Sequence, residues 1–517
     1  MSMTIPLLLE NIAATYPDNT AQLSKDADGT FQPRSWQRLL AEVDACGAGL
    51  LQLGVARGDH VGLISENRAE WFVADLAIMS IGAIDVPRGN DTTPRELAFI
   101  LGFADVRTVF VENAAQLAKV AGIATDLPDL ARVIVLDRVP DEVPAFPRRV
   151  SVTDYATVVA TGRDRLQEEP SIVRDARQQG DGDDTATIIF TSGTTGEPKG
   201  VMLSHTNFLH QVRNVPRLIH VGPTDIWLCV LPVWHSFERI MQYVSMGSGS
   251  ALAYSKPIGK IMLEDFQKVR PTWMASVPRI WEAIRAGIYR NVRTQSAVSQ
   301  TLFRFFVAVG GAWAGMRDMF LGRLPRFSRR VRVLDAIVSA LPLLLLTPFK
   351  LLGDLLVFGK IRARLGGRFV AGISGGGALP SHVDRFFSAA GVLLLEGYGL
   401  TETAPVLGVR DQDHPVPGTV GPVFPGTEVR IVDETGQTLP PGTQGRVLAR
   451  GPQVMKGYYK RQEETDAALE ANGWLHTGDL GQTDIKGRLQ FLGRLKDMFR
   501  VGGENVAPLE VEAVLLQ

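Results

Sequence analysis

The chain has 517 residues, 45% of them hydrophobic and 21% charged, with a net charge of −1. This balance excludes a disordered chain and gives no electrostatic basis for nucleic-acid binding, and the length exceeds what one hydrophobic core serves. The two cysteines, Cys46 and Cys229, lie far apart without metal-ligand spacing, as in a reducing compartment.

Near the start, Ile5-Pro6-Leu7-Leu8-Leu9 is followed at once by Glu10 and preceded by no basic residue. It does not read as a signal peptide, and a cytoplasmic location is expected. Trp36 to Leu53 and Trp71 to Gly82 carry apolar residues at helical spacing, whereas Val61–Ser65, Val109–Val111 and Val133–Leu136 read as short buried strands. Such alternation predicts an α/β layer with a largely parallel sheet. From Thr161 to Asp184 the sequence turns polar and acidic and reads as a surface connection.

The next stretch, Thr191 to Gly200, places three glycines, four hydroxyls and Lys199 in one turn. Glycines let backbone N–H groups converge on an anion, and the hydroxyls and the lysine add donors and charge. It is not the familiar phosphate loop that opens a helix, because Pro198 and Gly200 stand where a glycine and a Ser/Thr are required. Its flanks, Ala186–Phe190 and Val201–Ser204, read as strands, with caps for a helix only at Ser204 to Asn207. Polyphosphate would therefore meet a hairpin loop. A flexible Gly/Thr surface turn is the plain alternative.

Another strand runs from Leu228 into Trp234-His235-Ser236-Phe237-Glu238-Arg239. A lone histidine is more often structural, but a strand end is where α/β proteins place ligands. Residues 290–368 differ in character, with basic residues Arg323 to Arg332 preceding an uncharged apolar run, 336–349, that contains Pro342 and Pro348. That run is shorter than the roughly 20 residues a bilayer span needs and is interrupted by the two prolines, so no span is expected. Of the two remaining readings, a buried helical pair and a stripe lying in a membrane interface, the leucines and flanking arginines favour the interface over 302–358.

Phe369 to Ser374 reads as a strand ending in Gly375-Gly376-Gly377-Ala378, glycines that allow a flat ligand to approach the backbone. The strand Val392–Leu395 then enters Gly397-Tyr398-Gly399-Leu400-Thr401-Glu402. A tyrosine between glycines can stack on a base and a carboxylate near phosphates can hold Mg²⁺, while a helix cap at Thr401 beside an exposed tyrosine is the bland reading. Beyond His414, short strands at Thr427–Val432 and Arg446–Arg450 and tight turns predict a small β-rich subdomain that holds Asp479 in a glycine turn.

Together, TSGTTGEPKG (Thr191–Gly200), LPVWHSFER (Leu231–Arg239), SGGGALP (Ser374–Pro380), GYGLTET (Gly397–Thr403), GPQVMKGYY (Gly451–Tyr459), GWLHTGDLG (Gly473–Gly481) and GRLKD (Gly493–Asp497) resemble the adenylate-forming (ANL) superfamily. Each motif is weak alone, but the ordered set is specific. The insertion and the form of the histidine motif are similar to the long-chain fatty acyl-CoA synthetase branch. The resemblance implies an α/β fold with a large N-terminal adenylating domain at 1–493. This domain would comprise two α/β sheet subdomains, a small β-rich one and a helical insertion at about 290–368. Residues 494–517 would be the hinge, at Lys496, and the first residues of a small C-terminal α+β lid.

It also implies activation of a fatty acid by ATP with Mg²⁺ to an acyl-adenylate, then thioester formation with coenzyme A. Thr191, Ser192, Gly193, Thr194, Thr195, Gly196 and Lys199 would take the β- and γ-phosphates, and Thr191 with Glu402 the metal. Gly375, Gly376, Gly377, Ala378, Gly397, Tyr398 and Gly399 would enclose the adenine. Thr401 would touch the α-phosphate, and Asp479 and Arg494 would hold the ribose. Lys199, His235, Thr401 and Glu402 would be catalytic, and Gly502-Gly503-Glu504 would face the coenzyme A channel.

The family's second lysine, on the lid, is absent from this sequence, so the chain is expected to bind ATP but adenylate poorly. Val86-Pro87-Arg88-Gly89-Asn90-Asp91 departs from the family's Pro-rich turn and carries no functional reading. A ligase delivering to an acyl carrier protein and a non-catalytic nucleotide- or lipid-binding module are the competing functions.

Overall fold

The computed structural model describes residues 2–191, 197–328 and 331–496, and the backbone of 497, 499–501 and 504–506. Two eight-stranded sheets dominate. The first runs, edge to edge, through Gly457–Tyr458, Lys199–Ser204, Thr185–Thr191, Ile84–Arg88, His60–Ile64, Thr108–Val111, Arg132–Val135 and Ser151–Asp154. It is parallel except where Lys199–Ser204 pairs antiparallel with both its neighbours. The second runs through Val406–Val409, Leu393–Gly399, Ala371–Ser374, Trp273–Ser276, Ile226–Cys229, Ala251–Tyr254, Thr20–Lys25 and Phe31–Ser35, parallel except at its two ends. Their strands are rich in Val, Ile and Leu because helices cover both faces.

The helices Ala69–Ser80 and Ser236–Gly247 are buried at nearly every position and belong to a core that both sheets share. One ion cluster bolts the second of these helices in place. Fully buried Arg239 donates to Thr187 Oγ1 (2.8 Å), to Asp85 (2.8 Å) and to Asp75, with Tyr243 closing the set. The guanidinium fork satisfies several acceptors at once, and removing it would leave two carboxylates buried without their counter-charge. Arg239, in the Glu-Arg pair after His235, is thus structural.

A four-stranded antiparallel sheet, Glu428–Val432, Gly445–Arg450, Leu475–Thr483 and Leu489–Arg494, forms the expected β-rich subdomain. Two expectations are corrected. Thr161 to Asp184 is no simple connection, since it belongs largely to the helices Tyr155–Glu168 and Ile172–Gln178. In the insertion, Pro342 and Pro348 do not interrupt the helix Arg332–Gly353, which continues through a π-turn into Gly359–Arg364. This helical run of 33 residues is long and apolar enough by length and composition to cross a membrane, so shortness does not exclude a span.

Candidate active site

The strand Thr185–Thr191 turns back as Lys199–Ser204 in an antiparallel hairpin, with Thr191 paired to Lys199. The strand–loop–strand context is as read from the sequence. Ser192, Gly193, Thr194, Thr195 and Gly196 lie outside the described residues. Ser204 and Asn207 then form a reciprocal capping box that starts the helix His205–Asn214.

Beside Thr191 lies a cavity of about 350 Å³. Thr191, His235, Gly375, Tyr398, Thr401 and Glu402 line it, from four stretches separated in sequence, together with Gly376, Gly397 and Gly399. Its lining also includes the apolar side chains of Val215, Met241, Ile373, Val406 and Val409. A second cavity of about 270 Å³ adjoins it and adds Lys199, Tyr458 and Gly478. Thr191, Glu402, Arg494 and Lys496 line both, so the two form one cleft. Of the expected site residues, Gly377, Ala378 and Asp479 do not line these cavities. Lys496, expected as a hinge, also faces the cleft, whereas Gly502 and Gly503 lie outside the described residues.

Tyr398 stands at the junction of subdomains. Its hydroxyl donates to Asp479 Oδ2 (2.6 Å), and Phe491 stacks on it with ring centroids 5.3 Å apart. Asp479 does not sit in a glycine turn as expected: it is buried within the strand Leu475–Thr483, one residue after the left-handed Gly478 and paired with Arg494, and its Oδ1 lies 3.2 Å from Arg494 Nε. At Gly375 the backbone packs closely on the Phe237 ring, to which an added Cβ would come as near as 3.1 Å.

His235 is the N-cap of the helix Ser236–Gly247. Its Nδ1 accepts from the Phe237 N–H (3.3 Å), which places the proton of the neutral ring on Nε2. Desolvation, and then the positive charge of Arg88, hold its pKa below the usual histidine range. A neutral imidazole with its proton on Nε2 is thus a hydrogen-bond donor rather than a base, and His235 lines the cleft. Behind it, Ser236 Oγ and Thr401 Oγ1 are 3.3 Å apart and join the two loops.

Three residues without a reading in the sequence prove central. Tyr458 donates to Glu402 Oε1 (2.9 Å), and Lys199 Nζ sits 5.2 Å from its ring centroid. It reaches there because Gly457–Tyr458 pairs with Met202 and Val201 on the hairpin. Arg88 donates to the Phe190 carbonyl (3.0 Å) and pairs with Glu96. Its guanidinium also lies 5.1 Å from the ring of Trp234, the neighbour of His235. A Cβ on Gly89 would fall 2.3 Å from Trp234 Nε1. The departure from the usual turn therefore builds a brace between the end of the hairpin strand and the histidine loop. Glycine-rich motifs can be spotted by composition, but a brace formed by three distant segments has no local signal.

Thr191 and Glu402 suit Mg²⁺, which favours hard oxygen ligands and usually binds through one or two carboxylates plus water and substrate phosphate. Among the described residues no group of three or more His, Cys, Asp or Glu could hold an ion unaided.

This chain belongs to the AMP-binding enzyme family, which matches residues 9–459. Its fold is the adenylating-domain fold. The ATP-bound MatB of Rhodopseudomonas palustris superposes with a TM-score of 0.68 at 24% identity, over 99% of this chain and 83% of that one. Among curated relatives, the chloroplastic long-chain-fatty-acid–[acyl-carrier-protein] ligase AEE15 of Arabidopsis thaliana is 34% identical over 99% of this chain and 73% of its own length. The peroxisomal long chain acyl-CoA synthetase 7 of the same plant is 33% identical over 94% of this chain and 66% of its own length. The chain is an acyl-activating, adenylate-forming ligase.

Proposed function

We propose that the cleft activates a long-chain fatty acid with ATP and passes the acyl group to the thiol of coenzyme A. The observation that carries this reading is the composition of one continuous cleft. Thr191 and Glu402 line both cavities and Lys199 the second, while Val215, Met241, Ile373 and Val409 line the first together with His235. A carboxylate with an alkyl tail and a nucleotide triphosphate both find complementary chemistry in such a cleft.

In the first step a carboxylate oxygen bonds to the α-phosphorus as the bond to pyrophosphate breaks. Two anions meet, so the residues must offset charge as it builds on the phosphoryl oxygens. Lys199, the Thr401 hydroxyl and the His235 Nε2–H serve as donors, and Thr191 with Glu402 would hold Mg²⁺, which supplies Lewis-acid charge stabilisation. Tyr458 orients Glu402 for that task. In the second step the thiol sulfur attacks the acyl carbon, its proton leaves to solvent, and AMP departs.

A second reading, delivery to an acyl carrier protein, is favoured by the similarity to AEE15. Fatty-acid-dependent pyrophosphate release tests the first step. Thioester formation with coenzyme A against acyl carrier protein then separates the two acceptors. No pyrophosphate with any fatty acid tested, even at the slow rate expected of this chain, would overturn both.

A further inference from the structure

The helix Arg332–Gly353 and its continuation to Arg364 present an apolar stripe to solvent. Leu334, Val338, Leu341, Leu345, Leu352 and Leu355 recur at steps of three, four and seven, and are 45% to 75% exposed. An exposed apolar strip on this scale marks an interaction surface. The opposite face is occupied by the helix Ala297–Phe320. There Trp313 Nε1 donates to Thr347 Oγ1 (3.0 Å), and Lys350 is buried, pairs with Asp354 (2.6 Å) and lies over the Trp313 and Phe358 rings. Close approach is enforced at Gly353, where a Cβ would sit 3.0 Å from Phe306. Ser339, Thr347 and Lys350 thus turn inward, and these leucines outward.

Charge at the two borders selects the occupant. No residue between 336 and 349 is charged, while exposed Arg332 stands at one end and exposed Lys360 and Arg364 at the other. Two copies pairing along this stripe, parallel or antiparallel, would set basic end against basic end at both extremes. An anionic lipid surface neutralises both ends while its acyl region takes the leucines. The stripe cannot be lipid-surrounded, because Ala297–Phe320 covers its inner side and itself packs on the helix Ser381–Ala390 of the main body.

We propose that this two-helix insertion docks the protein in the plane of an anionic membrane, with the stripe sunk in the headgroup–acyl boundary. The docking does not depend on which acid the cleft accepts. On the reading above, it brings the cleft to the phase where a long-chain acid resides.

Flotation of the whole chain with vesicles of phosphatidylcholine, with or without phosphatidylglycerol, tests it. Binding should favour the anionic vesicles by about tenfold and weaken as salt rises. The double variant L341S/L345S, altered only at exposed positions, should keep its circular dichroism and lose binding about tenfold or more. The double variant R332Q/K360Q should lose the anionic preference and retain residual binding. Absence of binding to either vesicle would overturn the proposal. So would a lipid-free dimer dissolved by L341S/L345S, or retention in the bilayer after alkaline extraction.

Discussion

The hydroxyl of Tyr398, at the end of a strand in the large second sheet, donates to the Asp479 carboxylate 2.6 Å away in the small antiparallel sheet. Both residues are buried, and the bond holds the wall of the cleft across a subdomain boundary. Tyr398→Phe removes the donor and leaves that carboxylate with one partner fewer. The expected cost is about 1–3 kcal/mol of stability by chemical denaturation, with weakened nucleotide binding by calorimetry. Unchanged values in both would show that the bond does not position the wall.

Glu402 and Tyr458 should act as a pair. Glu402→Gln is expected to lower the adenylation rate on the order of a hundredfold or more, because it removes charge at the proposed metal position. Tyr458→Phe keeps that charge and loses only its orientation, so the fall should be smaller. Combining the two should give less than the product of the separate losses, read from fatty-acid-dependent pyrophosphate release.

His235 performs two duties that one substitution separates. Asparagine is a strong N-cap, so His235→Asn should hold the helix Ser236–Gly247 and leave the melting temperature close to the original. Activity should nevertheless fall, since the Nε2–H is gone. Because the folded-state pKa is lowered, the ring stays neutral at neutral pH and the unfolded chain takes up its proton first as pH falls. Its contribution to stability is therefore lost on acidification below the ordinary histidine pKa. Arg88→Met should move the acid limb of the activity profile to higher pH, because the cation that disfavours His235 protonation is removed. An unmoved limb would deny Arg88 this role.

Glu238 is fully buried, and desolvation pushes its carboxyl up to about 7 despite hydrogen bonds that favour ionisation, one of them from the Leu231 N–H (3.2 Å). Between the ordinary value of 4.5 and about 7 the unfolded chain releases this proton while the folded chain keeps it. Stability should then fall as pH rises through that window and stay lower above it, by about 3 kcal/mol at most. Glu238→Gln keeps an acceptor for Leu231 and should flatten that decline, giving a more stable protein at mildly alkaline pH in denaturant titrations.

Motif order made the cleft legible in the sequence wherever a loop announces itself by glycine and hydroxyl content, as at Gly375, Tyr398 and Thr401. What escaped was set by packing between distant segments. The helix Tyr155–Glu168 reads as polar because its contact with Trp36–Gln52 uses small residues, not a leucine stripe. A Cβ on Gly162 would overlap the Ala45 carbonyl, and one on Gly49 the Val158 carbonyl. Arg88 was invisible for a similar reason, since its acceptor is a backbone carbonyl and its ring partner lies far along the chain. In the insertion, both prolines suggested interruption, yet the helix passes through them.

The central claim is that one cleft receives an acyl-adenylate, with its nucleotide at Tyr398 and its tail along Met241 and Ile373. Calorimetric titration with a non-hydrolysable acyl-sulfamoyl adenosine tests it most directly, since it needs no turnover. Tight one-to-one binding is predicted, competitive with ATP, stronger for longer acyl chains and weakened by Met241→Lys. Failure to bind, or binding that ignores both ATP and acyl length, would contradict it.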